Sequence, residues 1–306
     1  MTLLRIKSSQ PGITISLNEL IKLQGLAHNI ELYSQKKVST LLLGGHQSSL
    51  RGRGIDFDEV RNYQAGDDIR HMDWRVTARS GKPHTKLFHE ERERPVYLVI
   101  DLSPSMFFGT RVAFKSIIAA QLAAILGWAA IQHGDRLGAV IFTADQQLEL
   151  KPRGRRSGIL PILKALTTLT VPKPFTTTQY DFGTALQRLH RVAKPGSLIF
   201  LISDFYQFDT LIERELQPLA KHCEIVACGI TDPIEREAPP PNRYSISNQQ
   251  TVIQMDTRKR QFRTAYAEQF KLHWQRLQNG LQQYQIPLLT FSTDQTIVNQ
   301  LQGIAL

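Results

Sequence analysis

The sequence predicts a doubly wound α/β fold: a mostly parallel sheet covered on both faces, preceded by an N-terminal α+β extension. Three observations carry this. First, "VYLVID" (96–101), "DRLGAVIFT" (135–143), "SLIFLISD" (197–204) and "CEIVACGI" (223–230) are short, almost continuously apolar runs, the pattern of strands buried on both faces. Second, segments with helical spacing stand between these runs, as a parallel sheet with crossover helices requires. Third, two of the runs deliver an aspartate where the strand ends, Asp101 and Asp204. In open sheets of this kind, ligands bind beyond the carboxyl ends of the strands.

The elements follow in order. "SLNELIKLQGLAHNIEL" (16–32) makes an amphipathic helix capped by Ser16 or Asn18, and "LLLGGHQSSLRGRG" (41–54) reads as a glycine-rich loop. Residues 55–94 are charged and irregular, but Phe57, Val60, Tyr63, Ile69, Trp74 and Val76 are apolar anchors that argue against disorder. "HTKLFHEERERP" (84–95) is a strand running into a charged turn. A helix over Val112–Gln132 follows the first core strand, and "QLELKP" (147–152) is a hairpin partner for "DRLGAVIFT". Further helices are expected at Gly158–Leu169, Phe182–Val192 and within "DTLIERELQPLAKH" (209–222). "QTVIQMD" (250–256) reads as a strand. A long helix, Thr257–Tyr284, is then capped by Asp256 or Thr257 and carries Phe262, Tyr266, Phe270, Trp274, Leu277, Leu281 and Tyr284 at helical spacing, a stripe read as core packing. "PLLTFST" (287–293) and a helix over Asp294–Gln300 complete the chain. The expected division is an extension, 1–94, packing on a main domain, 95–306.

Bulk properties narrow the function. A chain of 306 residues that is 42% hydrophobic and 21% charged buries an ordinary globular core. Cys223 and Cys228, five apart near one strand, cannot build a disulfide framework and read as inert core thiols facing opposite sides, consistent with a reducing cytoplasm. "MTLLRIKSSQPG" lacks the apolar core of a secretory leader. "IIAAQLAAILGWAAI" (117–131) falls short of the ~20 apolar residues that span a bilayer, so it reads as a buried core helix. The formal charge of +10 invites an anionic partner, but the basic runs "KPRGRR" (151–156) and "RKRQFR" (258–263) are not interleaved with stacking aromatics and read as solvated faces. Nucleic-acid binding through them is therefore the lesser alternative. A hydrolase using Ser103 or Ser105 is another, without a G-x-S-x-G elbow or H-E-x-x-H motif to support it. His133 and His190 read as structural.

The chemistry concentrates at "DLSPS". Asp101, Ser103 and Ser105 follow the first core strand, and Pro104 favours an extended Ser103 that points both hydroxyls to one side. Asp204 ends a second strand. The loop "TTTQYDFG" (176–183) adds Thr176, Thr177, Thr178 and Tyr180. Carboxylates and hydroxyls together suit a hard cation, Mg2+ or Mn2+, that keeps some of its water.

This arrangement resembles the von Willebrand factor A fold and its metal-ion-dependent adhesion site, which takes Asp-x-Ser-x-Ser, a Thr and an Asp from three loops. "DLSPS" matches in full and "SDF" offers Asp204. The resemblance makes Asp101, Ser103, Ser105, Thr178 and Asp204 the implied ligands. At the middle loop, members of that fold usually read "GGTDLxxAL", whereas this chain reads "TQYDFGTAL". Either Thr178 serves through a shifted loop, or Tyr180 occupies the threonine position and weakens ion binding.

The preceding segment resembles the signature of the bacterial family known as domain of unknown function fifty-eight. Its hallmark, Y-x-x-GDD-x-R-x-x-DW-x-x-TAR, appears here as Tyr63, Gly66, Asp67, Asp68, Arg70, Asp73, Trp74, Thr77, Ala78 and Arg79. The aspartates are expected to pair with Arg70, Arg75 or Arg79 while Trp74 packs on the main domain; the other reading is a docking surface. The resemblance implies a non-enzymatic, metal-dependent protein-interaction module. It also implies a MoxR-type AAA+ ATPase partner, and an acidic client residue completing the ion's coordination. Many members of that family carry amino-terminal membrane helices, which are not expected of this chain; cysteine usage and the leader-less start make the expected location cytoplasmic, peripheral to the inner membrane through partners.

Overall fold

The structure is a computed structural model, and it describes residues 12–28, 56–64, 69–89, 93–173, 180–247 and 252–301. The chain divides into two units, residues 34–93 and the remainder, 1–33 with 94–306. The N-terminal helix groups with the main unit.

The main unit is built on a six-stranded sheet. Its strands are β3 (Pro95–Leu102), β4 (Arg136–Thr143), β5 (Gln147–Arg153), β6 (Leu198–Ser203), β7 (Glu224–Thr231) and β10 (Leu288–Ser292), while β8 (Arg243–Ser247) and β9 (Val252–Asp256) form a separate antiparallel pair. They lie in the order β10-β7-β6-β3-β4-β5, with every pair parallel except the β4–β5 hairpin. This is a mostly parallel sheet flanked by helices, of Rossmann-like topology. The side chains of β3 alternate: Val96, Leu98, Ile100 and Leu102 enter one core, Tyr97 and Val99 the other. Cys228 lies in the first core and Cys223 in the second, both as free thiols. Burial pushes the Cys228 thiol far up from its ordinary range, so it is inert.

On the first face pack α4 (Lys115–Gln132) and α5 (Arg156–Leu169), joined by α1 (Leu17–Lys22) and α2 (Gln24–Ala27). Ser16 caps α1 in a reciprocal capping box with Glu19, one of the two caps expected. Helix α4 is apolar on all sides because it is enclosed on all sides. It is long and apolar enough to cross a membrane, and 83% of it is buried in the fold. Trp128 of α4 donates its indole N–H to the Leu20 carbonyl at 3.2 Å, and Leu20 is fully buried. These contacts are why the N-terminal helix joins the main unit.

The second face carries α6 (Phe182–Val192), α7 (Thr210–His222) and the C-terminal half of α9 (Arg260–Gln283). Helix α9 departs from expectation at its cap and in the first half of its stripe. Its N-cap is Lys259, because Asp256 is drawn to Arg258 at 2.6 Å and the Thr257 hydroxyl donates to the Pro240 carbonyl. Leu277 and Leu281 are buried in the second core with Trp274 and Tyr284 packed against it, as expected, whereas Phe262 is exposed and Tyr266 and Phe270 are half-buried. Trp274 stacks on Phe270 at 5.7 Å and lies so close to the strand β7 backbone that a Cβ on Gly229 would meet the indole at 2.8 Å.

The smaller unit pairs β1 (Asp56–Asn62) with β2 (His84–His89), antiparallel, around α3 (Trp74–Ser80). Asp73 caps α3, accepting the N–H groups of Arg75 and Val76, and Gly81 closes it in the left-handed conformation at φ 71°. The Thr77 hydroxyl accepts the His84 N–H, fastening the helix to β2. So "DW-x-x-T" encodes a capped helix docked on a hairpin, a role the ion-pairing expectation did not include. Arg70 and Arg79 are exposed, and Trp74 exposes 66% of its surface. Gly66, Asp67 and Asp68 lie outside the described residues.

Candidate metal centre

The topology locates the site. The chain leaves β3, builds β4 and β5 on one side, then returns to lay β6 against the other side of β3. This reversal makes the carboxyl ends of β3 and β6 the switch point, where helices on opposite faces diverge and leave a crevice. Asp101 ends one of these strands and Asp204 follows the other.

Asp101 is buried, and both of its oxygens are held. Oδ1 accepts the Ser103 N–H at 2.8 Å, and Oδ2 accepts the Ser203 hydroxyl at 2.6 Å. Ser103, extended at φ −65° and ψ 166°, precedes Pro104 at the start of a single 3-10 turn. The Ser103 and Ser105 hydroxyls therefore lie side by side, 3.2 Å apart. Adjacent ligands of an octahedral ion with bonds of about 2.1 Å stand about 3 Å apart, so the pair has the spacing of two neighbouring ligands. Burial, and then repulsion from the Asp204 carboxylate, push the Asp101 carboxyl up to about 6, against the opposing hydrogen bonds from Ser203 and Ser103.

Asp204 is presented by a strained turn. Phe205 holds φ 52°, a left-handed conformation costing about 1 kcal/mol in a non-glycine residue. It is held there by its N–H donating to the Ser203 hydroxyl at 2.9 Å and by ring contacts with Phe182 at 5.5 Å and Phe208 at 6.4 Å. The turn allows Asp204 Oδ1 to accept the Tyr206 N–H at 3.0 Å.

Lys115, a residue the sequence reading passed over, meets the other Asp204 oxygen. Its Nζ lies 2.7 Å from Asp204 Oδ2 and 2.5 Å from Glu235 Oε1, with the side chain only 1% exposed. Burial alone would lower this amine's pKa, but the two carboxylates outweigh it and hold the ammonium above its ordinary value. Glu235 lies in α8 (Pro233–Arg236), whose cap, Asp232, follows β7. Asp232 is buried and accepts hydrogen bonds from Thr110, Ile234 and Thr293, which clamp three loops at the same sheet end.

Asp101, Ser103, Ser105 and Asp204 are thus brought to one end of the sheet. Thr178 lies outside the described residues. Tyr180 is half-buried, and its N–H donates to the Ala144 carbonyl at 3.2 Å, which ties its loop beyond β4. Among the described residues no cluster of three or more His, Cys, Asp or Glu could hold a metal. Two carboxylates and two hydroxyls are the donor types that a hard, partly hydrated cation would take. His190 contacts the Glu215 carbonyl at 2.7 Å, bracing α6 on α7. His133 caps the C-terminal end of α4, the end that leads into the start of β4. Beside Asp204 and Glu235 opens a cavity of about 570 Å³, lined also by Tyr206, Tyr266, Phe270 and Trp274.

The model of the family described as "Protein of unknown function DUF58" matches residues 59–276. The chain belongs to the DUF58 family. Among curated proteins this DUF58 chain is 32% identical over 218 residues to the uncharacterized proteins Mb1516 of Mycobacterium bovis and Rv1480 of Mycobacterium tuberculosis, covering 71% of this chain and 68% of each relative. Among solved structures it is similar to the conserved hypothetical protein BatB of Bacteroides thetaiotaomicron, at 15% identity and a TM-score of 0.40, covering 68% of this chain and 97% of that one. It is also similar to an aerotolerance-related membrane protein of Bacteroides fragilis, at 15% identity and a TM-score of 0.43, covering 68% and 94%.

Proposed function

We propose that this DUF58 protein is a non-enzymatic interaction module with a von Willebrand factor A-like main domain. In this reading Asp101, Ser103, Ser105 and Asp204 hold Mg2+ or Mn2+, and an acidic residue of a protein partner completes the coordination. The observation that carries the reading is the hydroxyl pair, 3.2 Å apart beside a buried carboxylate at the topological switch point. The aromatic cavity beside Asp204 supports it, since an acidic partner residue bound at the ion would place its apolar neighbours there. The family resemblance makes a MoxR-type AAA+ ATPase the expected partner, with ATP chemistry on its side. The Ser103 hydroxyl meets Ser105 rather than a histidine, which favours ligand over nucleophile.

Thermal unfolding with and without millimolar Mg2+ or Mn2+ tests the proposal. The parent midpoint should rise by a few degrees, as an ion that binds only the folded state requires, and Asp101→Ala should not respond. An equal response, or none in either protein, sinks the ion site.

A further inference from the structure

Asp101 and Asp204 are buried carboxylates whose charges repel, and the fold supplies a positive charge of its own. The Lys115 ammonium is held between two acceptors, Asp204 Oδ2 at 2.7 Å and Glu235 Oε1 at 2.5 Å. Their environments differ. Asp204 is 5% exposed and borders Asp101, whereas Glu235 is 28% exposed and sits in α8, away from the serine pair in sequence and element. Asp204 Oδ1 accepts the Tyr206 N–H and Oδ2 accepts the ammonium, each oxygen keeping a second lone pair. An ion that draws on Asp204, directly or through water, shares the carboxylate with the lysine and meets its charge.

We propose that Lys115 is a tethered cation that governs loading of the ion site, shared between Asp204 and Glu235 in this structure and giving up Asp204 for Glu235 when a divalent cation binds. The inference rests on the ion-site reading and extends it: the site is set to a moderate affinity by an internal competitor, with Glu235 as the competitor's second berth. The stem of Lys115 runs from the first residue of α4 beside Phe108, whose ring centroid lies 6.0 Å from Nζ. A swing between two carboxylates already in contact with the same amine needs no movement of the helix.

The test is Mn2+ affinity of the full chain, read from the free Mn2+ signal in electron paramagnetic resonance, for the parent, Lys115→Met, Glu235→Gln and Asp101→Ala. Removing the competitor should tighten Mn2+ binding by about tenfold or more, since a like charge leaves the site. Removing the second berth should weaken it, and Asp101→Ala should abolish it. A purely structural lysine would predict weaker or unchanged binding in Lys115→Met, and that result overturns the inference while leaving the ion site standing. If neither the parent nor Lys115→Met binds Mn2+, both fall. Should Lys115→Met not fold, Lys115→Gln and Glu235→Gln decide: opposite shifts in affinity support the proposal, and shifts of the same sign, or none, refute it.

Discussion

Asp101 is under two opposed demands. Its burial and the neighbouring Asp204 charge favour the protonated acid, while two hydrogen bonds and any bound cation favour the carboxylate. With its pKa raised from 3.8 to about 6, the folded protein holds this proton more tightly than the unfolded chain does. The sign follows: the unliganded protein loses stability as pH rises from about 4 to about 6 and is level above that. A cation must displace the same proton, so Mn2+ affinity should fall about tenfold per pH unit below about 6 and reach a plateau above it. Affinity that stays constant from pH 4.5 to 7 would remove Asp101 from the ligand set. Asp101, Ser103 and Ser105 were legible in the sequence because they are local, a strand end followed by Ser-Pro-Ser. Lys115 was not. Its partners lie 89 and 120 residues away, and a lone lysine heading an apolar run carries no local sign that it will be buried between them.

At the scale of elements, legibility followed local chemistry. Helix α6 came out with its predicted bounds, Phe182–Val192, because Asp181 caps it and Phe182, Ala185, Leu186 and Leu189 repeat on one face. The core strands were equally plain. The α9 cap departs from expectation because Asp256 has a closer claimant in Arg258. Its stripe meets the core from Trp274 to Tyr284 but not at Phe262, since periodicity does not tell how far along a helix the core extends. The placement of α1 was also beyond the sequence, since an amphipathic helix shows that it packs without showing on what. Its union with α4 is checkable. Leu20→Ala empties a fully buried position beneath the Trp128 indole and should destabilise the main unit by about 3 kcal/mol in urea unfolding. A loss under about 0.5 kcal/mol, the ordinary range for surface positions, would return α1 to the periphery.

Across the whole molecule, one architectural decision organises the chemistry. Reversing the strand order at β3 and β6 opens a crevice, and the chain places there a carboxylate pair, two hydroxyls, an internal ammonium and, beside them, an aromatic cavity. The formal charge of +10 is spread over the chain and does not define this site. One ion per chain is therefore expected, in one place. Crystals grown with Mn2+ and measured for anomalous scattering at the manganese edge should show a peak about 2.2 Å from both the Ser103 and Ser105 hydroxyl oxygens, absent in Asp101→Ala. No peak there, with the ion elsewhere or nowhere, would contradict the account.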